Sequence, residues 1–131
     1  MPNWCNNQVT FSGTTEDINN IIEFVEGDMD LVDGSLIVEP FSLDAIIPMP
    51  KDLLVGDGWY GWRNENWGTK WDATNGDMFD DSKEGFVSYS FDTAWSPPEP
   101  IYNALKEKYP EVRISWFYDE PGMEFSGYLP D

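Results

Sequence analysis

Twice in this chain an alternating apolar segment runs straight into a capped amphipathic pattern, and that repetition restricts the fold more than any composition does. Gln8 to Ser12 places Val9 and Phe11 on one face and closes at Gly13, a short strand. Thr14 then stands where a helix cap belongs, with Asp17 at the third helical position. Ile18, Ile21, Ile22 and Val25 follow at i, i+3, i+4 and i+7, the stripe of an amphipathic helix, and Gly27 stops it. The second unit starts at Gly85 to Asp92, where Val87, Tyr89 and Phe91 alternate with Phe86, Ser88 and Ser90. Ser96-Pro97-Pro98-Glu99 reads as a helix start, with Ser at the cap, Pro at the first position and Glu at the third. Trp95 falls where a hydrophobic staple would pack. Ile101, Ala104, Leu105 and Tyr109 carry the apolar face on until Pro110 breaks it.

Each unit is followed by further strand signal. Leu36 to Glu39, between Gly34 and Pro40, reads as the second strand of the first half. Val112, Ile114, Trp116 and Tyr118 alternate with polar neighbours, and after the Glu120-Pro121-Gly122 turn, Met123, Phe125 and Gly127 suggest a last short strand in a hairpin. Between the halves, from Lys51 to Glu84, periodicity disappears and Gly, Asn, Asp and Trp dominate, which marks a structured excursion and not a plain connection. The order β-α-β, excursion, β-α-β, β predicts an α+β fold of the ferredoxin-like split βαβ type. Its antiparallel sheet carries two helices on one face, in a single domain 1–131 with a long Trp-rich insertion at about 48–84.

Several blocks then stand out in order along the chain. They are Asn3-Trp4-Cys5-Asn6-Asn7, Gly13, Ile47-Pro48-Met49-Pro50, Asn66-Trp67-Gly68-Thr69-Lys70-Trp71-Asp72, Phe91-Asp92-Thr93-Ala94-Trp95-Ser96-Pro97-Pro98 and Phe125-Ser126-Gly127. Together they resemble the YubB-type ferredoxin-like family of phage- and plasmid-encoded proteins of unknown function. The resemblance covers nearly the whole chain and implies the same fold. It implies no activity, catalytic residue or cofactor.

Charge narrows the function. The chain holds 25 Asp plus Glu against 7 Lys plus Arg and no His, a formal net charge of −18. Nine of those carboxylates precede the first basic residue, Lys51. Direct nucleic-acid binding is disfavoured, because backbone phosphates need neutralising cations. A basic protein surface is the complementary partner, with Glu16, Asp17, Glu23, Glu26, Asp28, Asp30 and Asp33 as the candidate binding residues. In the setting that the resemblance implies, the partner would be host machinery that normally binds nucleic acid, met by an acidic surface acting as a DNA mimic. A well-solvated acidic surface without a partner is the plainer alternative. Cys5 alone permits no intrachain disulfide, and the start of the chain lacks the basic and apolar regions of a secretory signal. No apolar run reaches membrane-spanning length. The expectation is a protein of the bacterial cytoplasm, a monomer or homodimer, without membrane contact.

The Trp-Gly-Thr-Lys-Trp-Asp block supports two readings. Trp59, Trp62, Trp67 and Trp71 would line a small-ligand pocket, with Lys70 and Asp72 as polar handles. Alternatively the tryptophans staple the excursion to the sheet, Gly68 permits a tight turn, and Asp72 accepts hydrogen bonds from loop amides. Gly56-Asp57-Gly58-Trp59-Tyr60-Gly61 formally matches a dinucleotide motif, but Pro50-Lys51-Asp52 stands upstream and Trp62-Arg63-Asn64 follows where the chemistry needs a strand and then a helix, and Asp57 would repel phosphate. Asp28, Asp30, Asp33 and Glu39 fail the calcium-loop pattern, since Val32 takes the fifth position and Asp33 the required glycine. Asp77, Asp80 and Asp81 read as a solvated acidic turn. Without histidine, Ser-His and Cys-His nucleophile activation and His metal sites are excluded, so no catalytic residue, metal or cofactor is expected. A carboxylate pair such as Glu65 and Asp72 would remain for hydrolase chemistry, a weak signal where carboxylates are so abundant.

Overall fold

The computed structural model describes all residues except 1–2, 28, 33–34, 55, 123 and 130–131, and for 29–32, 35–38 and 54 the backbone alone. Five strands form one antiparallel sheet: β1 (Trp4–Ser12), β4 (Thr74–Asp81), β5 (Phe86–Ala94), β6 (Arg113–Glu120) and β7 (Phe125–Tyr128), in the order β4-β5-β1-β6-β7. β1 is central and antiparallel to both β5 and β6. Helix α1 (Thr15–Val25) leaves β1, and α4 (Glu99–Lys108) links β5 to β6, so two split βαβ units interleave as the ferredoxin-like plan requires.

Alternation builds the core. Val9 and Phe11 on β1, Val87, Tyr89 and Phe91 on β5, and Ile114 and Trp116 on β6 are buried on one face of the sheet. Ile18, Ile21 and Val25 of α1 and Ile101 and Leu105 of α4 cover them. Phe41 enters the same layer, stacked on Phe91 at 4.5 Å and edge-on to Trp116 at 5.9 Å. Thr14 caps α1 through a 3.1 Å bond accepted from the Asp17 amide. A buried polar chain crosses the core at the start of β1. Trp116 Nε1 donates to Asn7 Oδ1 at 3.0 Å, and Asn7 Nδ2 donates to Thr93 Oγ1 and to the Cys5 carbonyl.

The first half is longer than its strand signal predicts. The expected second strand, Leu36 to Glu39, falls on β3 (Ser35–Val38), which pairs with Met29–Val32 (β2) in a separate two-stranded sheet, and its place beside β5 is taken by β4. The stretch 48–84 therefore contributes an edge strand to the main sheet. β4 escapes detection because it reads TNGDMFDD: an edge strand buries little, and three aspartates protect it from pairing with another chain. Before it come helix α2 (Leu43–Ile46), a single 3-10 turn at Lys51–Leu54 and helix α3 (Gly58–Asn66). α3 opens inside the glycine motif, and a 3-10 turn precedes it where a dinucleotide site needs a strand.

The second helix also starts differently. α4 begins at Glu99 with Pro98 at its cap position and no side-chain cap bond. Ser96 is not the cap, because its hydroxyl donates instead to the Gly68 carbonyl at 2.8 Å. Trp95 is no staple either. Its amide donates to the Asn3 carbonyl, its φ is 72°, and the indole is 44% exposed.

Candidate functional site

The Trp-rich block is bound into the fold at both ends. Trp67 is buried, and its Nε1 donates to the Ile47 carbonyl at 2.8 Å. Gly68 turns with φ 81°, where a Cβ would stand 2.8 Å from Pro100 Cδ, so a side chain is excluded by conformation and by space. Thr69, also buried, donates to the Ala94 carbonyl at 2.8 Å, which fastens the block to the end of β5. Asp72 reaches back to α2: Oδ1 accepts from the amides of Leu43 and Ala73, both at 2.7 Å, and Oδ2 from Ser42 Oγ at 3.1 Å and the Asp44 amide at 3.3 Å. Burial nevertheless raises the Asp72 carboxyl above its ordinary range, outweighing these four bonds.

The tryptophans do not converge on one space. Trp62 meets Trp67 edge-on at 5.7 Å, and the Arg63 guanidinium lies between Trp59 and Trp67, 5.1 Å and 5.0 Å from their ring centres. Trp71 goes elsewhere, packing against Trp4 at 5.8 Å with Lys70 Nζ 4.6 Å above its ring. One face each of Trp59, Trp67 and Trp71 is thus taken by the chain's own cations. Glu65 is exposed on α3, whereas Asp72 is held by amides and a hydroxyl.

On α1 and at its C-cap, Glu16, Glu23 and Glu26 are exposed and Asp17 is half-buried. Asp17 lies close enough to Tyr109 to raise that phenol, although burial is the larger cause. The surface is mixed, because Lys108 sits 4.7 Å from the Phe24 ring and shares a shallow groove with Glu23. Asp28, Asp33 and the side chain of Asp30 lie outside the described residues. Among the described residues no acidic or cysteine cluster is arranged to hold a metal ion, and no helix is long and apolar enough to cross a membrane.

The opposite, helix-free face of the sheet is organised in cross-strand rows. One row runs Thr74, Asp92, Asn6, Asp119, Ser126, and the next Asp77, Ser90, Gln8, Phe117, Tyr128. A third runs Phe79, Ser88, Thr10, Ser115, and a fourth Asp81, Phe86, Ser12, Arg113. The middle is floored by small hydroxyls, with Thr10 Oγ1 and Ser88 Oγ 3.0 Å apart. Ring pairs stand at both sides: Phe79 with Phe86 at 6.1 Å and Phe117 with Tyr128 at 5.2 Å. A depression of about 390 Å³ lies next to Phe79, over Gln8, Thr10, Asp77, Ser88 and Ser90. These rows carry four carboxylates against the single cation Arg113.

Residues 66–129 match the family model described as the ferredoxin-like domain in Api92-like protein. The crystal structure of the protein api92 from Yersinia pseudotuberculosis superimposes with a TM-score of 0.72 at 11% identity, covering 98% of this chain and 93% of that one. At that identity the likeness shows the fold, a ferredoxin-like α+β domain. No curated protein matches the chain. The Api92-like span takes in the Trp67–Asp72 block, β4 to β7 and α4, and leaves out α1 and the β2–β3 hairpin.

Sequence reasoning missed the helix-free face. Its residues are the polar alternates of the strands that the apolar pattern predicts, Gln8 and Thr10, Ser88 and Ser90, Ser115 and Asp119. That alternation signals an uncovered face. What assembles them into a surface is the strand order, and β4 supplies Asp77 and Phe79 from a segment without strand signal.

Proposed function

We propose that this is a non-enzymatic interaction protein whose acidic surface docks a basic polypeptide. In the mobile-element setting that the YubB-type resemblance implies, that polypeptide is a host protein which normally holds nucleic acid. One observation carries the reading: the carboxylates outnumber the cations 25 to 7. Arg63, Lys70 and Lys108 lie over aromatic rings, and seven cations can offset at most seven of the 25 carboxylates, so most of the negative charge is not neutralised from within. Such a field steers and selects a positively charged partner.

The test uses the full chain and a purified basic DNA-binding domain, titrated at low and moderate salt and again with a DNA duplex as competitor. Affinity is expected to fall roughly tenfold or more between about 50 and 300 mM salt, with DNA displacing the chain. Binding indifferent to salt, or simultaneous binding of DNA and chain to the domain, contradicts the reading. Neutralising the exposed helix carboxylates as Glu16→Gln, Glu23→Gln and Glu26→Gln measures the share of α1.

A further inference from the structure

We infer that the helix-free face of the sheet is where the basic partner docks, and that the partner presents arginines from an extended segment. This rests on the reading above and adds the place and the chemistry. A sheet face covered by a second layer is apolar. Here the floor is Thr10, Ser88, Ser90 and Ser115, side chains too short and too polar to form a core and too short to fill the space between the flanking rings. The result is a trough with hydroxyls below, rings at the sides and carboxylates at intervals.

The carboxylate spacing suits more than one cation. Asp92 and Asp119 share a row and are separated by β1 alone, two strand spacings or about 10 Å. Asp77 lies in the next row, at the β4 edge. The walls favour arginine over lysine. Phe79 and Tyr128 are 60% and 64% exposed, and a planar guanidinium stacks on such rings while its fork of donors reaches carboxylate and hydroxyl oxygens. An ammonium gains less from both. Other occupants fit worse. A nucleic acid strand would use the same rings for its bases, but its phosphates would meet four carboxylates and only Arg113. A second copy of the chain would set the same carboxylates against each other.

The experiment titrates the full chain with hexa-arginine and hexa-lysine peptides at low salt, followed by calorimetry and by backbone amide shifts. The arginine peptide is expected to bind about fivefold more tightly, with shifts centred on β1, β5 and β6. Asp77→Asn with Asp119→Asn should weaken it about tenfold, and Phe79→Ala with Tyr128→Ala should remove the preference over lysine. All four residues are exposed, so circular dichroism should show an unchanged fold. If Glu16→Gln with Glu23→Gln weakens binding and the sheet variants do not, this placement is wrong while the basic-partner reading stands. Equal affinity for the two peptides overturns the arginine assignment. Failure of both peptides to bind at low salt overturns placement and reading together.

Discussion

Removing the Asp72 carboxylate should separate a structural clasp from a reactive site. Its two short bonds, to the Leu43 and Ala73 amides, both end on Oδ1, and the Ser42 hydroxyl and Asp44 amide end on Oδ2. Asp72→Ala leaves the first amide of α2 without a partner, a lost cap costing about 0.5–2 kcal/mol. The second part-buried amide, at Ala73, adds about 1–3 kcal/mol. A total near 3 kcal/mol corresponds to a fall in Tm of roughly 10 °C for a chain of this size. Asp72→Asn keeps a carbonyl oxygen for both short bonds and sheds the buried charge, so its change should stay within about 1 kcal/mol. Urea unfolding followed by tryptophan fluorescence reads both variants, because Trp67 is buried and bonded to Ile47 just beyond α2. The reasoning fails if Ala costs under about 1 kcal/mol, or if Asn is as damaging as Ala.

The same pair of proteins gives a pH signature. The folded Asp72 carboxyl lies above its ordinary value near 3.8, chiefly through burial. Between the unfolded and folded values the native state holds a proton that the unfolded state has released, so this group's contribution falls as pH rises through that window. Below it both states are protonated and above it both are ionised, so the contribution is flat on either side. Asp72→Asn should therefore gain on the wild type as pH rises from about 4 and then level off. A wild type that gains on the Asn variant over that range would reverse the assigned cause.

Other consequences concern single positions. Gly85 has φ 87°, and a Cβ there would stand 2.5 Å from the Gly13 carbonyl oxygen, so Gly85→Ala should cost about 3 kcal/mol or prevent folding. Gly61 lies inside α3 with open space around it, so Gly61→Ala should stabilise by about 0.5–1 kcal/mol in the same urea assay. Trp67→Phe should cost about 2 kcal/mol through the unpaired Ile47 carbonyl and the lost contact. The Cys5 thiol is buried and pushed up to about 12, mainly by burial, so a thiol reagent at neutral pH should label it only at the rate of global unfolding. Rapid labelling in native buffer would contradict its placement under the sheet.

The fold was legible wherever a strand is buried on one face. β1, β5 and β6 show their alternation because Val9, Val87 and Ile114 and their neighbours must face the helices. β4 was hidden because an edge strand needs few apolar residues, and the hairpin strand β3 took its place in the expectation because four apolar-rich residues look alike in either sheet. The Ser96 cap fails for another physical reason. A serine before Pro-Pro-Glu satisfies the local helix pattern, but a distant carbonyl at Gly68 competes for the same hydroxyl and wins. The Trp block was legible as a clasp through Gly68 and Asp72, whereas the occupation of its rings by Arg63 and Lys70 depends on packing that no spacing rule contains.

The carboxylates of the open face do not all carry the same weight. Those on β4 have a sufficient local reason, since charges on an edge strand discourage pairing with another chain. Asp92 has one as well: its two oxygens accept from Asn6 and Asn75, and Asn75 sits at φ 55° in the irregular pairing at the start of β4. Asp119 has neither. It lies on β6, paired on both sides by β1 and β7, so it protects no edge, and it is exposed on the face away from the core. Removing it should leave stability within about 0.5 kcal/mol of the wild type, as for other exposed sites. A large loss of peptide affinity in Asp119→Asn alone would then reflect docking and not repair of the fold, which makes this single substitution more diagnostic than any change on β4.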